Sequence, residues 1–167
     1  DGTYYIFGSH MSAASSEDLR NWTSIGDGYT SSNPIFDDLL GTEHVFDYTG
    51  SKDSVIPTDD GTYHVWAPDV VYNRAQDLYY MYFCTSSTWN ASNLCYAVSD
   101  KPEGPFEPKD CVLSTDESMP VNGIDANIIR DVKTGEMYMV YGSFWGGIHI
   151  LKLNEQTGLA AEDGIGT

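Results

Sequence analysis

Cations are scarce in this chain: 8 Lys and Arg stand against 25 Asp and Glu, a formal net charge of -17 at pH 7. So acidic a surface repels phosphate backbones and anionic lipid, which sets aside nucleic acid and membrane as partners and leaves neutral ligands as the default. Long hydrophobic runs are missing as well, and nothing approaches the ~18 apolar residues that span a bilayer. The chain opens on Asp1-Gly2-Thr3 without a basic stretch followed by an apolar one, so a secretory leader has been removed or the start is missing. Cysteine is limited to Cys84, Cys95 and Cys111, and no Cys-x-x-Cys spacing occurs, which speaks against a zinc site. Cys84 and Cys95 fall on two apolar runs that could be hairpin neighbours. A disulfide between them and a set of buried free thiols are the two readings, free thiols being the simpler.

What the chain does hold is aromatic and turn-forming. Its 41% hydrophobic and 13% aromatic content excludes disorder, and 12 Tyr with 16 Gly against few helix formers point to an all-β fold rich in turns. A length of 167 residues suits one domain with a sizeable core. Tyr4-Tyr5-Ile6-Phe7 reads as a strand, and a second run, residues 11 to 15, leads into a polar turn over 17 to 23 whose Trp22 reads as buried. Between residues 26 and 60 the pattern dissolves into Gly, Ser, Asp and Pro, with one helical turn at most at Leu39-Leu40. Irregular stretches of that length inside a compact domain are usually functional or poorly ordered. Order returns over residues 63 to 72, where Pro68 cannot donate in a central ladder and marks a strand start or bend. Residues 78 to 84 and 93 to 99 read as strands joined by a polar loop over 85 to 92, and residues 101 to 106 turn the chain out. A third block holds strand runs at 124 to 129, 137 to 141 and 148 to 153. In it Asp125 sits between Ile124 and Ala126, with Ile128 and Ile129 beyond, which predicts a low-dielectric setting; a buried Asp is rare unless paired or working.

The blocks resemble one another. Tyr4-Tyr5-Ile6-Phe7-Gly8-Ser9 aligns without gaps on Tyr138-Met139-Val140-Tyr141-Gly142-Ser143, and Tyr79-Tyr80-Met81-Tyr82 has the same character. Blade-like units over residues 1–25, 62–108 and 121–160, with an irregular insertion over 26–60, suggest a β-propeller, and a β-sandwich is the alternative. Propellers have roughly four to eight blades of about 40 to 60 residues, so the chain holds two to three and is part of something larger or pairs with another chain.

Trp66-Ala67-Pro68-Asp69-Val70, Gly104-Pro105-Phe106, Asn122-Gly123-Ile124-Asp125, Tyr141-Gly142-Ser143-Phe144-Trp145-Gly146-Gly147-Ile148 and Thr157-Gly158-Leu159 carry a resemblance to glycoside hydrolase family 43. Within the family they are most similar to the endo-arabinanases, which cleave the α-1,5-linked arabinofuranose backbone of plant arabinan. The string of small and aromatic residues from Tyr141 to Ile148 is the most specific part, with no generic structural reason behind it.

The resemblance implies a five-bladed propeller that hydrolyses with inversion, using an N-terminal Asp as base, a third-blade Asp that tunes and orients the acid, and a later Glu as acid. Such a site needs one protonated and one ionised carboxyl about 6.5 to 9.5 Å apart, with room for a water. A third carboxylate nearby raises the acid's pKa. Only the third-blade Asp maps here, onto Asp125, with Gly123 and Ala126 standing where the family usually has Ala and Pro. The base is expected before the first strand and the acid beyond Thr167, with Asp1 a poor substitute for the base.

Trp66 matches a groove-lining Trp, with core packing the other reading. Asn122 and Ser143 match residues near the cleavage subsite that would hydrogen-bond sugar hydroxyls. Trp89, Phe144 and Trp145 are platform or core, and Asp69 is expected to bond backbone amides near the funnel. Family members often hold a metal at the funnel centre, partly through a later His. His10, His44, His64 and His149 do not match that position, so no metal site is expected from this chain, although the complete enzyme could hold one.

The implied substrate is arabinan or arabino-oligosaccharide, met outside the cell or in the periplasm, with the rest of the propeller supplied by a second chain or copy. Two alternatives stand beside this: a non-catalytic carbohydrate-binding half-propeller, and a family-43 arabinofuranosidase or xylosidase.

Overall fold

Period-two alternation in the central strands decides the layout. In the computed structural model, which describes residues 2–28, 33–36, 65–88 and 91–167, the chain forms antiparallel meanders with almost no helix. The first sheet comprises β1 (Tyr4–Gly8), β2 (Ser12–Ser16) and β3 (Thr23–Gly26), with a 3-10 turn at Ser9–Met11 between β1 and β2. The second runs β4 (Val65–Asn73), β5 (Leu78–Thr88), β6 (Ala91–Ser99) and β7 (Glu107–Thr115) in chain order. The third holds β8 (Asn127–Arg130), β9 (Met137–Ser143) and β10 (Gly147–Lys152). The first strands of the three sheets, β1, β4 and β8, lie side by side, and each meander leads away from them. That is the arrangement of propeller blades and not of two stacked sheets.

Successive strand residues point to opposite faces. On β5 and β6, Met81, Phe83, Cys95 and Ala97 face the first sheet, joining Met11, Ala13, Ile35, Phe36 and Phe106 in one core. Tyr80, Tyr82, Cys84, Leu94, Tyr96 and Val98 face the third sheet, joining Val121, Ala126, Met137, Met139, Tyr141 and Leu151 in another. Each fully buried aliphatic or aromatic side chain contributes about 1.5–3 kcal/mol.

The described part of the irregular stretch, residues 33–36, is lodged between the first two sheets. The Phe106 amide donates to the Ile35 carbonyl at 2.7 Å, and the Phe36 ring meets Phe83 and Phe106 at 5.9 and 6.3 Å. Leu39, Leu40, His44 and His64 lie outside the described residues.

Several sequence expectations are corrected. Cys84 and Cys95 do not pair: Cys84 stands opposite Leu94, so the two cysteines occupy opposite faces of the sheet. Cys95 is instead disulfide-bonded to Cys111 on β7, and Cys84 is free and buried. The polar loop expected over 85 to 92 is largely strand, because β5 and β6 run on to Thr88 and from Ala91. Trp22 is 41% exposed, lying outside the core. Strands β3 and β7 were not anticipated.

Candidate active site

The inner end of β4 is shaped by Pro68. Lacking an N–H, it falls where the register between β4 and β5 slips, between Trp66 and Asp69, and Ala67 adopts left-handed backbone at φ 46°. The bend delivers Asp69 to the neighbouring sheet, where its carboxylate accepts from the Ile128 amide at 2.6 Å and from Asn127 Nδ2 at 3.2 Å. Burial outweighs these hydrogen bonds and holds its pKa above the usual carboxylate range. Asp69 thus bonds backbone amides, as its position after Pro68 suggested, and ties β4 to β8.

The segment before β8 turns on Asn122 to Asp125. The Ile124 amide donates to the Asn122 carbonyl at 3.0 Å, and the Gly142 amide to the Ile124 carbonyl at 2.9 Å. Ala126 is 5% exposed and anchors the segment in the core. The low-dielectric setting expected for Asp125 is met only in part. Its apolar neighbours turn inward while its own left-handed backbone, at φ 57°, leaves it exposed. Partial desolvation still raises its carboxyl above the ordinary range.

Beneath this turn lies a polar network whose Ser86 and Ser92 sequence reasoning missed, because they sit in what read as a loop. Ser86 and Ser92 share a hydrogen bond at 2.8 Å, Ser92 Oγ donates to Asn122 Oδ1 at 3.1 Å, and Asn122 Nδ2 donates to Ser143 Oγ at 3.4 Å. Thr115 Oγ1 accepts from the Gly123 amide at 3.0 Å and donates to the Ser92 carbonyl at 3.2 Å. Buried polar groups are tolerated only when bonded in this way. Asn122 and Ser143 are therefore brought together. Asn122, at 1% exposure, is a support for Ser143 and offers no surface of its own to a sugar.

The glycine-aromatic string after β9 has a structural reason after all. A Cβ on Gly142 would stand 2.2 Å from the Gly147 carbonyl oxygen, and one on Gly146 only 1.9 Å from that of Pro120. Those glycines let the β9–β10 turn fold back against residues 120–121. Ser143 Oγ accepts from the Trp145 amide at 3.1 Å, and the Trp145 indole donates to the Met119 carbonyl at 3.4 Å. Phe144 at the tip is 92% exposed, which removes the core reading for it. Trp66 is half-buried, and Trp89 lies outside the described residues.

Among the described residues no three His, Cys, Asp or Glu side chains come close enough to hold a metal ion. His149 faces the Gly146 carbonyl at 3.3 Å.

The arrangement is an exposed carboxyl raised by partial desolvation, on a segment whose Ile124 carbonyl accepts from the Gly142 amide, just before Ser143 and the exposed Phe144. Hydrogen-bonding groups beside aromatic faces suit a neutral sugar.

Comparison with known proteins extends this picture. The glycosyl hydrolases family 43 model matches residues 1–164. An extracellular endo-α-(1→5)-L-arabinanase of Thermotoga petrophila is 30% identical over 93% of this chain and 34% of its own length. A second extracellular endo-α-(1→5)-L-arabinanase, from Bacillus subtilis, is 32% identical over 95% of this chain and likewise 34% of its own. The crystal structure of a Thermotoga petrophila endo-1,5-α-L-arabinanase superposes on the whole chain with a TM-score of 0.80 at 31% identity, the match covering 39% of that structure. The chain spans about a third of the length of these curated relatives, and its three meanders are blades of a five-bladed propeller of which it carries part.

Proposed function

Since the chain belongs to glycosyl hydrolase family 43, we propose that it forms part of an inverting glycosidase acting on α-1,5-linked arabinan. In this reading Asp125 is the carboxylate that orients the general acid and raises its pKa. Trp66, Ser143 and Phe144 bound the sugar, and Asn122 holds Ser143 in place. The general base and general acid come from the remainder of the propeller, in the same protein or supplied by a second chain. The base takes a proton from water as its oxygen attacks the anomeric carbon, and the acid gives a proton to the departing glycosidic oxygen.

The observation that carries the reading is Asp125 itself: exposed, left-handed and raised in pKa, at the border of two blades. A non-Gly residue kept in left-handed backbone costs free energy, and such strain clusters at functional sites. Action outside the cell is the reading for location, supported by the extracellular names of the relatives. Within the described residues no helix is long and apolar enough to cross a membrane.

The test is reducing-sugar release from debranched arabinan by the chain and by its Asp125→Asn variant, with arabino-oligosaccharide binding measured alongside. Activity that falls roughly 10²–10⁴-fold in the variant supports the assignment. Retained activity in Asp125→Asn removes Asp125 from the site. Binding without hydrolysis by either protein is the outcome for half of an enzyme or for a carbohydrate-binding half-propeller, and failure to bind overturns the arabinan assignment for this chain.

A further inference from the structure

Among the described residues one buried side-chain nitrogen, His149 Nδ1, has no hydrogen-bond partner. An orphan of that kind calls for a reason. His149 lies on β10 opposite Tyr141 of β9, and strand alternation turns it to the same inner side as the buried Leu151, while Ile148 and Ile150 face solvent. Its ring is tilted 34° to that of Tyr141, with centroids 5.8 Å apart. The second ring nitrogen, Nε2, stands 3.3 Å from the Gly146 carbonyl oxygen. A carbonyl oxygen can only accept, so Nε2 carries the proton. Nδ1 keeps its lone pair, because a proton there would be a buried donor with nothing to receive it.

The carbonyl held in this way belongs to a crowded turn. A Cβ on Gly146 would come within 1.9 Å of the Pro120 carbonyl oxygen. Beside it the Trp145 indole donates to the Met119 carbonyl at 3.4 Å, and the Trp145 amide to Ser143 Oγ at 3.1 Å. We propose that His149 is a positioning residue: its Nε2–H fastens the β9–β10 turn from inside the third blade, so that Ser143 and Phe144 stay set against the segment leading to Asp125. This rests on the reading of Ser143 and Phe144 as groups that bound the sugar. Packing alone does not account for an imidazole at this position. An apolar ring would fill the same space against Tyr141 and leave no buried nitrogen unsatisfied.

The tautomer is read directly on the unaltered chain, from two-bond nitrogen–proton correlations of isotope-labelled histidine. A proton on Nε2 of His149 is expected, and a proton on Nδ1 overturns the proposal. Three variants then separate fastening from packing. His149→Phe keeps a ring against Tyr141 and removes the donor, His149→Gln places an amide N–H near the position of Nε2, and Leu151→Ala removes buried packing from the same face of β10. Hydrogen exchange at the Trp145 amide is expected to be roughly fivefold to tenfold faster in His149→Phe and to return close to the original rate in His149→Gln. Leu151→Ala lowers the melting temperature and leaves that exchange in place. Exchange that His149→Phe does not change, that His149→Gln does not restore, or that Leu151→Ala raises equally overturns the proposal. Should a variant not fold, the tautomer still decides. Both signals are read without arabinan, so the fastening and the sugar-binding reading fail separately.

Discussion

The middle and third blades are built from the same kind of aromatic strand, yet they meet solvent differently. In the middle blade β6 is buried from Ser92 through Ser99, with a core on each face. In the third blade β10 is mostly exposed, with Ile148 at 69% and Ile150 at 37%. The candidate site lies on the border. Its chemistry-bearing side chains, Asp125, Ser143 and Phe144, belong to the third blade, while Ser92 and Thr115, which hold the Asn122–Gly123 turn, belong to the middle one. Rigidity and access are thus supplied by different repeats, which is how exposed turns can hold a defined geometry.

If the middle blade is the rigid one, the largest loss follows Phe83→Ala, a truncation in a fully buried ring contact: about 3–5 kcal/mol in chemical denaturation. Gly146→Ala attacks the border, since its Cβ would meet the Pro120 carbonyl oxygen. A loss of about 3 kcal/mol or more is expected, together with displaced amide resonances over residues 120–125. Asp69→Ala cuts the tie between β4 and β8 and removes about 2 kcal/mol.

Asp69 also gives that tie a pH dependence. Its carboxyl is raised in the folded chain, so the native state holds the proton more tightly than the unfolded one. The stabilisation is complete below the unfolded value of about 3.9 and is lost as pH climbs through the raised folded value. Asp69→Asn removes that decline from a urea-midpoint series. Tyr82→Phe, which leaves the Gly158 carbonyl without its 3.0 Å donor, costs about 1 kcal/mol. Ile148→Ala on the open face changes stability by about 0.5 kcal/mol or less; a loss as large as that of Phe83→Ala would erase the contrast between the blades.

The strands legible in the sequence were those whose local pattern agrees with their surroundings. Tyr4 to Phe7, Tyr79 to Phe83 and Tyr138 to Tyr141 are dense in aromatic and branched residues, and all became strands. β7 escaped notice because Glu107, Pro108, Lys109 and Asp110 put charge and proline where a strand pattern is sought; at a sheet edge both proline and charge are tolerated. Ser86 and Ser92 read as a loop because polarity implies water, and nothing local reveals that they are satisfied by partners as distant as Asn122. For the site, the motif located Asp125, Asn122 and Ser143 in one neighbourhood. It could not show that Asn122 is internal or that Asp125 is turned outward, since each depends on how the segment packs.

The turn that closes the third blade has a wider consequence. The Tyr82 and Tyr96 hydroxyls donate to the carbonyls of Gly158 and Thr157, and Gly158 has no room for a Cβ beneath Tyr80. Sequence separations of 76 and 61 residues stand behind those two hydrogen bonds. In an ideal repeat array each unit melts with its own stability plus a nearest-neighbour increment. Here two carbonyls at the exit of one repeat are met by hydroxyls from the folded interior of the repeat before it. Exchange protection around residues 154–159 should accordingly track global unfolding of the middle blade, and the two blades should behave as one cooperative unit rather than as separable modules.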